Sequence, residues 1–345
     1  MSMFVSEQNL SAGDYHIFRK NPSGPWHQVH TVHIGDPVIS LNQSSINPAV
    51  IVGIVHGLTG GGDNQVLSSI NNGASWVTHA PTPFSCVTPS NFIQSLALND
   101  EGSKLFMVDA DSNVWRSTDY GDSWSQIVSG SEPSPDASIW ATGGYVWWVS
   151  ASGIRRAGED GSGLIAITAD HSFMTVPLLF GSHFSSTLTL FDSVAGDPLA
   201  FLVISNATST PIVTQVSISS ASASDYLWSA TPIGADRVIS VVQDVSTNDL
   251  VVFLSTDAGG SWVETLRRAK PSGGHSTLLL GQSGGEQSIA VALDTPNIYC
   301  SNDGGLSWGA ASIPSVAGFG TNAVFSGLVG AGSCGGQRVW GQVIG

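Results

Sequence analysis

The chain has 345 residues, of which 11% are charged and 41% hydrophobic, and 11 basic against 26 acidic side chains leave it a formal net charge of −15. No Lys/Arg cluster could track phosphates, which excludes nucleic acid as a partner, and no apolar run reaches the roughly 18 residues of a membrane span. The length allows two ordinary domains, but all-β architectures often run this long as one unit; 40 glycines without 3.6-residue periodicity point to many short strands.

In chain order, residues 1–7 ("MSMFVSE") carry neither a basic nor an apolar segment, so no leader is expected. Residues 15–20 ("YHIFRK") and 26–32 ("WHQVHTV") read as two strands. His27, His30 and His33 look like metal ligands until alternation is applied, which sends His27 and His33 to one face and His30 to the other. No metal site and no cofactor are expected. Cys86, Cys300 and Cys334 are odd in number and widely spaced, fitting neither a disulfide framework nor zinc.

An octet then recurs. Residues 69–76 ("SINNGASW"), 117–124 ("STDYGDSW"), 255–262 ("STDAGGSW") and 301–308 ("SNDGGLSW") share the frame Ser-x-Asp/Asn-x-Gly-x-x-Trp. Their tryptophans are 48 residues apart from Trp76 to Trp124 and 46 from Trp262 to Trp308, while the 138 between Trp124 and Trp262 is three times 46. Two degenerate copies fit that gap, at 157–164 ("AGEDGSGL") and near 206–211 ("NATSTP"), and a further weak copy ends at Trp26. The repeat predicts seven units.

Each unit parses into four strands. In the third they are "NFIQSLAL", "KLFMVDA", "NVWRS" and "SWSQIV", and in the last "STLLLGQ", "QSIAVALD", "NIYCS" and "SWGAA", with the octet joining strands three and four. Four antiparallel strands per roughly 40–50 residues is the arithmetic of a β-propeller blade. The predicted fold is all-β: a single seven-bladed propeller spanning 1–345. Its closing blade would take two strands from residues 1–33 and two from about 321–345, "NAVFSGLVG" and "QRVWGQVI", so that no sheet edge stays open.

The octet residues suit a structural part. Asn71, Asp119, Asp257 and Asp303 can accept backbone N–H bonds as Asx-turns do; Gly73, Gly121, Gly259 and Gly305 tolerate positive φ; and Trp76, Trp124, Trp262 and Trp308 are large enough to fill a wedge between blades. The octets resemble the Asp boxes of the bacterial neuraminidase repeat, found in sialidases, xyloglucan-active glycoside hydrolases, sortilin-type receptors and photosystem II assembly factors. The match is close in four copies and weak in three, and the implied propeller covers essentially the whole chain. The resemblance implies that function lies on the face opposite the boxes, in turns from strand two to three and from strand four to the next strand one. Here these are residues 81–91, 192–197, 244–249, 267–275 and 294–297.

A sialidase would need three arginines on the substrate carboxylate and a Tyr–Glu nucleophile. This chain has eight arginines and six glutamates; Arg19 falls at a box-like turn, and Tyr120 and Tyr299 lie in or beside boxes, all on the wrong face. A conventional glycosidase needs two carboxylates about 5–9.5 Å apart, for which Asp192, Asp197, Asp244, Asp249 and Asp294 are the loop candidates; in such loops Asp is most often a turn-former. The family's xyloglucan enzymes use a cleft between two propellers, and this chain has residues for one. Trp140, Trp147 and Trp148 could stack on sugar rings or pack between blades. The basic run Arg267-Arg268-Ala-Lys270 reads as a solvated loop, and nothing matches the arginine patch of the assembly factors. The expectation is therefore a non-catalytic propeller whose loops bind a protein partner or a glycan. Three lysines in a Ser/Thr/Gly-rich chain would suit part of a larger assembly such as a phage or viral particle.

Overall fold

The computed structural model describes residues 3–9, 14–20, 26–32, 38–44, 46–47, 49–55, 65–83, 96–109, 111–130, 139–150, 153–167, 178–181, 188–191, 199–205, 210–234, 236–269, 278–283, 288–294, 297–301, 303–312, 323–330, 332–334, 337–339 and 342–344. Every regular element among them is a β-strand. β1 (Met3–Asn9), β2 (Asp14–Lys20) and β3 (Trp26–Val32) belong to a first sheet. β4 (Val38–Gln43), β5 (Ile51–Val55), β6 (Gln65–Ser69) and β7 (Val77–Pro81) form a second. β8 (Leu96–Leu98), β9 (Leu105–Val108), β10 (Val114–Ser117) and β11 (Ser125–Val128) form a third. The fourth holds β12 (Ile139–Thr142), β13 (Tyr145–Ser150), β14 (Gly153–Gly158) and β15 (Ile165–Ile167). The fifth holds β16 (Leu178–Gly181), β17 (Leu188–Phe191), β18 (Ala200–Ser205) and β19 (Ile212–Ser217). The sixth holds β20 (Tyr226–Pro232), β21 (Val238–Asp244), β22 (Asp249–Ser255) and β23 (Val263–Ala269). The seventh holds β24 (Leu278–Ser283), β25 (Ser288–Asp294), β26 (Asn297–Ser301) and β27 (Gly309–Ser312). All pairings within them are antiparallel, and every octet or octet-like turn joins the last two strands of its sheet.

The C-terminal strands are β28 (Ala323–Gly330), β29 (Gly332–Cys334), β30 (Gln337–Val339) and β31 (Gln342–Ile344). β28 joins the first sheet by pairing with β1, from Met3↔Gly330 to Asn9↔Ala323. That sheet therefore takes three strands from the N-terminal segment and one from the C-terminal, instead of the expected two and two. The "SEQN" half of β1 has no apolar alternation to mark it as a strand; β2 and β28 on either side supply its backbone partners. The "QRVWGQVI" segment goes elsewhere: β30 pairs with β29, and β31 adds a fifth strand beside β24.

Middle strands read as continuous apolar runs because both their faces are covered. β5, β9 and the first six residues of β22 after Asp249 are buried throughout, whereas last strands such as β7 and β23 are mostly exposed. Apolar clusters lie between successive sheets. Val52, Ile54 and Val66 meet Leu96, Leu105 and Met107 between the second and third; Phe201 and Val203 meet Val251 and Phe253 between the fifth and sixth. Each such side chain contributes about 1.5–3 kcal/mol by leaving water. Adjacent tryptophans on β13 point opposite ways, Trp148 toward the third sheet and Trp147 toward the fifth. First strands contact one another in sequence, β4 with β8, β8 with β12, β12 with β16, β16 with β20 and β20 with β24, and β28 contacts both β24 and β4.

Candidate functional site

The octets repeat one hydrogen-bond pattern. The Ser255 hydroxyl donates to Asp257 Oδ1 at 2.8 Å and accepts the Gly259 N–H at 2.7 Å, while Asp257 Oδ1 also accepts the Ser261 N–H at 2.8 Å. Ser117, Asp119, Gly121 and Ser123 do the same, as do Ser301, Asp303, Gly305 and Ser307. Asn71 reproduces it through Oδ1, with its amide donating to Ser75 Oγ at 2.8 Å. At Asp257 the hydrogen bonds from Ser261 lead in holding the carboxyl below the usual range. Burial is the largest single influence on Asp119 and Asp303 and pushes upward, but the serine bonds together outweigh it and both are lowered.

Two consecutive residues in each turn are left-handed. Asn72, Tyr120, Ala258 and Gly304 precede Gly73, Gly121, Gly259 and Gly305 with φ of 57°, 59°, 56° and 72°. The glycine has a second reason beyond φ: a Cβ on Gly121 would lie 2.9 Å from Val66 Cβ, and one on Gly259 2.8 Å from Val216 Cγ1, each in the preceding sheet. The tryptophans reach the same way, Trp262 Nε1 donating to Ser217 O at 3.1 Å and Trp308 Nε1 to Thr265 Oγ1 at 3.0 Å. In the degenerate turn of the fourth sheet Gly161 keeps its place with φ of 86°. There Glu159 departs to Lys104 at 2.6 Å, and Asp160 accepts the Ser162 N–H and hydroxyl instead. The copy at 206–211 lies mostly outside the described residues.

At the other end of the sheets, the turns of the third and sixth sheets each open on an Asp that accepts the N–H two residues on, and differ in every other bond. Asp244 and Asp249 face each other across the β21–β22 turn. Arg267 on β23 reaches both, at 2.7 and 3.4 Å, and its other edge takes Glu264 at 2.7 Å. Hydrogen bonds from Ser246 first, and then from Arg267, drive the Asp244 carboxyl far below its ordinary value; the Glu264 and Asp244 bonds hold the Arg267 guanidinium firmly protonated. Arg267, expected in a solvated basic run, is thus the centre of an acidic cluster. In the third sheet Asp109 is buried and accepts four N–H donors, from the Asp111 and Asn113 backbones, the Asn113 amide and Trp115 Nε1. Asp294 ends β25 opposite Asn297, while Asp192 and Asp197 lie outside the described residues, as do residues 84–91, 270–275 and His33.

Ser68, His79 and Asp122 form a chain that the sequence reading missed. His79 Nδ1 donates to Asp122 Oδ1 at 2.7 Å, so in the neutral ring Nε2 accepts the Ser68 hydroxyl, also at 2.7 Å. The connectivity is that of a hydrolase triad with its burial inverted. Ser68 is 3% exposed whereas the Asp122 side chain is 68% exposed, so the hydroxyl has no path to a substrate. The chain ties the last strand of the second sheet to the octet of the third. The only local signal was a Ser just before one octet and a His three residues past its Trp. Trp140, Trp147 and Trp148 are all buried, which removes the stacking role and leaves the packing one. No group of three metal-ligating side chains occurs among the described residues.

Sheets of four antiparallel strands packed face to face, first strands innermost, also characterise several solved structures. The xyloglucanase of glycoside hydrolase family 74 from Xanthomonas campestris superposes with a TM-score of 0.58 at 13% identity, over 88% of this chain and 54% of that one. YCF48 from Cyanidioschyzon merolae gives 0.55 at 16% identity, over 93% and 98%. The fold is a β-propeller. YCF48 bound to a D1 peptide gives 0.53 at 15% identity, over 90% and 93%. This propeller spans about half the length of the xyloglucanase. No protein-family model and no curated protein matches its sequence.

Proposed function

We propose that the chain is a seven-bladed Asp-box propeller, one domain over 1–345, closed by pairing N- and C-terminal strands in one blade. The shared bonding of the four octets, the β1–β28 ladder and the cyclic order of first-strand contacts support this reading. Its function is non-catalytic: the turns opposite the octets bind a protein partner or a glycan, within a larger assembly such as a phage or viral particle. The observation that carries the proposal is the Asp244–Arg267–Asp249 cluster. A glycosidase needs one carboxyl kept protonated as the acid while its partner stays ionised, and here one guanidinium binds both carboxylates and Asp244 is pushed further toward ionisation. That a structure of the same fold, YCF48, binds a D1 peptide supports a protein partner.

The competing reading, a glycoside hydrolase of the same propeller type, would have to draw its carboxylates from Asp192, Asp197 or Asp294. A panel of chromogenic glycosides decides between them. No turnover is expected; turnover abolished by Asp192→Asn, Asp197→Asn or Asp294→Asn, and retained in Asp244→Asn, would make the chain an enzyme.

A further inference from the structure

A crevice opens between the third and fourth sheets on the face opposite the octets. Its walls are Ser112, Val128, Ser129, Gly130, Trp148, Ser150 and Arg155, and between them is room for about one water-sized group, such as a single carboxylate oxygen. Ser112 sits in the β9–β10 turn and Gly130 just beyond β11, while Trp148 and Arg155 are cross-strand partners on β13 and β14. Two buried polar atoms of its lining residues find no hydrogen-bond partner, Ser112 Oγ and Trp148 Nε1, although these residues are only 3% and 1% exposed. An unmade bond on a buried donor is costly, so such groups normally have a partner in the functioning state.

The walls are fixed in advance. The four bonds to Asp109 brace the turn that carries Ser112, and the Gly130 N–H donates to Asn113 Oδ1 at 2.8 Å. A Cβ on Gly130 would stand 2.0 Å from Asp111 O, so only glycine lets the two turns meet. On the far wall Arg155 Nε donates to Ser150 Oγ at 3.1 Å, which orients the guanidinium.

We propose that this crevice is a notch for the carboxylate of an acidic side chain on a protein partner. The indole N–H can only donate, the serine hydroxyl can donate, and the arginine brings positive charge; donors with a cation beside them call for an anionic acceptor. Of the two acids just before Ser112, Asp109 already has both its oxygens engaged and Asp111 is exposed. The crevice is narrow, and Asp or Glu carries its carboxylate on one or two methylenes that pass the mouth, whereas a uronic acid carries the sugar ring directly on the carboxyl carbon. The inference rests on the reading that this face binds a partner, and names the chemistry of one contact.

The test follows the Trp148 indole N–H by NMR, identified by its loss in Trp148→Phe, while the full chain is titrated with four probes. These are a capped Gly-Glu-Gly peptide, its Gly-Gln-Gly counterpart, acetate and galacturonate. The Glu peptide and acetate should shift the resonance, and the Gln peptide and galacturonate should leave it in place. Ser112→Gly removes the hydroxyl and also relieves the left-handed φ of 60°, so it should fold. It and Arg155→Gln should each weaken the Glu peptide about tenfold, the loss of one charge-assisted bond. Equal response to Glu and Gln, no response to any probe (a resident water only), or a response to galacturonate but not to the peptide each overturns the proposal. Failure here leaves the glycoside panel silent, and turnover in that panel would sink the binding function whatever the notch does.

Discussion

The two ends of the sheets solve one problem, turning a strand back on itself, in different ways. At the octet end Ser117, Asp119 and Gly121 make the same bonds as Ser255, Asp257 and Gly259, and Asn71 makes them with an amide. At the other end Asp109 gathers four N–H groups, Asp244 is held by Ser246 and a cross-strand arginine, and the turns around Ser112 and Arg155 enclose a crevice. Repetition marks a part every blade needs in order to pack on its neighbour. Variation from sheet to sheet marks turns free to specialise, which is where binding evolves on a rigid scaffold.

The sharpest way to break the octet end is to fill the space its glycine leaves. Gly121→Ala would put a Cβ 2.9 Å from Val66 on a backbone with φ of 109°, combining left-handed strain with overpacking; a loss of about 2–5 kcal/mol is expected in urea unfolding. Gly144→Ala, with φ of 83° and nothing within 4 Å, should lose only the backbone part, about 1–2 kcal/mol. Equal losses would mean that the close approach between sheets matters less than the turn.

Next comes Ser255, fully buried, whose hydroxyl serves Gly259 and Asp257 together. Ser255→Ala leaves the Gly259 N–H buried without its acceptor and should lose about 1–3 kcal/mol. A loss no larger than that of an exposed octet serine such as Ser261→Ala would remove the hydroxyl from the list of parts the turn requires.

Acid should then separate the Asp octets from the Asn octet. Asp119, Asp257 and Asp303 are lowered in the folded chain, so their contribution is complete above the unfolded carboxylate value near 3.9 and disappears as pH falls through the lower folded values. Thermal midpoints should hold steady down to about pH 4 and drop below it. In Asp257→Asn, which copies Asn71, the drop should be shallower, with a small loss at neutral pH because the Ser261 hydroxyl must change from donor to acceptor. An unchanged acid slope would place the pH dependence elsewhere.

The octet end was legible in the sequence because its parts are local. Eight contiguous residues make the Ser–Asp–Gly–Ser bonds that close the turn, and the interval of 46 to 48 between tryptophans is set by the length of four strands. What stayed hidden depends on neighbours far along the chain. Arg267 looked like part of a basic loop because its partners Asp244 and Asp249 lie two strands and one strand back and meet it only through the β21–β22–β23 register. The Ser68–His79–Asp122 chain needs the next sheet to be in place. The Ser112–Trp148 crevice exists only where two sheets face each other, and the "SEQN" half of β1 becomes strand because β28 returns from the far end of the chain.

The smallest expected effect bears most directly on function. Arg267 is 37% exposed, so Arg267→Gln should lose no more than about 1 kcal/mol of stability. It would nonetheless leave three carboxylates, Asp244, Asp249 and Glu264, without their shared cation. An NMR titration of Asp244 should find its midpoint well below the ordinary carboxylate range in the native chain and higher in the variant. It should still lie under the ordinary value, because the Ser246 bonds are the larger cause and survive. A native midpoint raised toward neutral pH would mean that the turn holds a proton there, the property a glycosidase acid requires, and the case for a binding face would lose its main support. A low midpoint that rises only partway on losing Arg267 would show a turn built to keep its carboxylates ionised, with the arginine as brace and the serine as anchor.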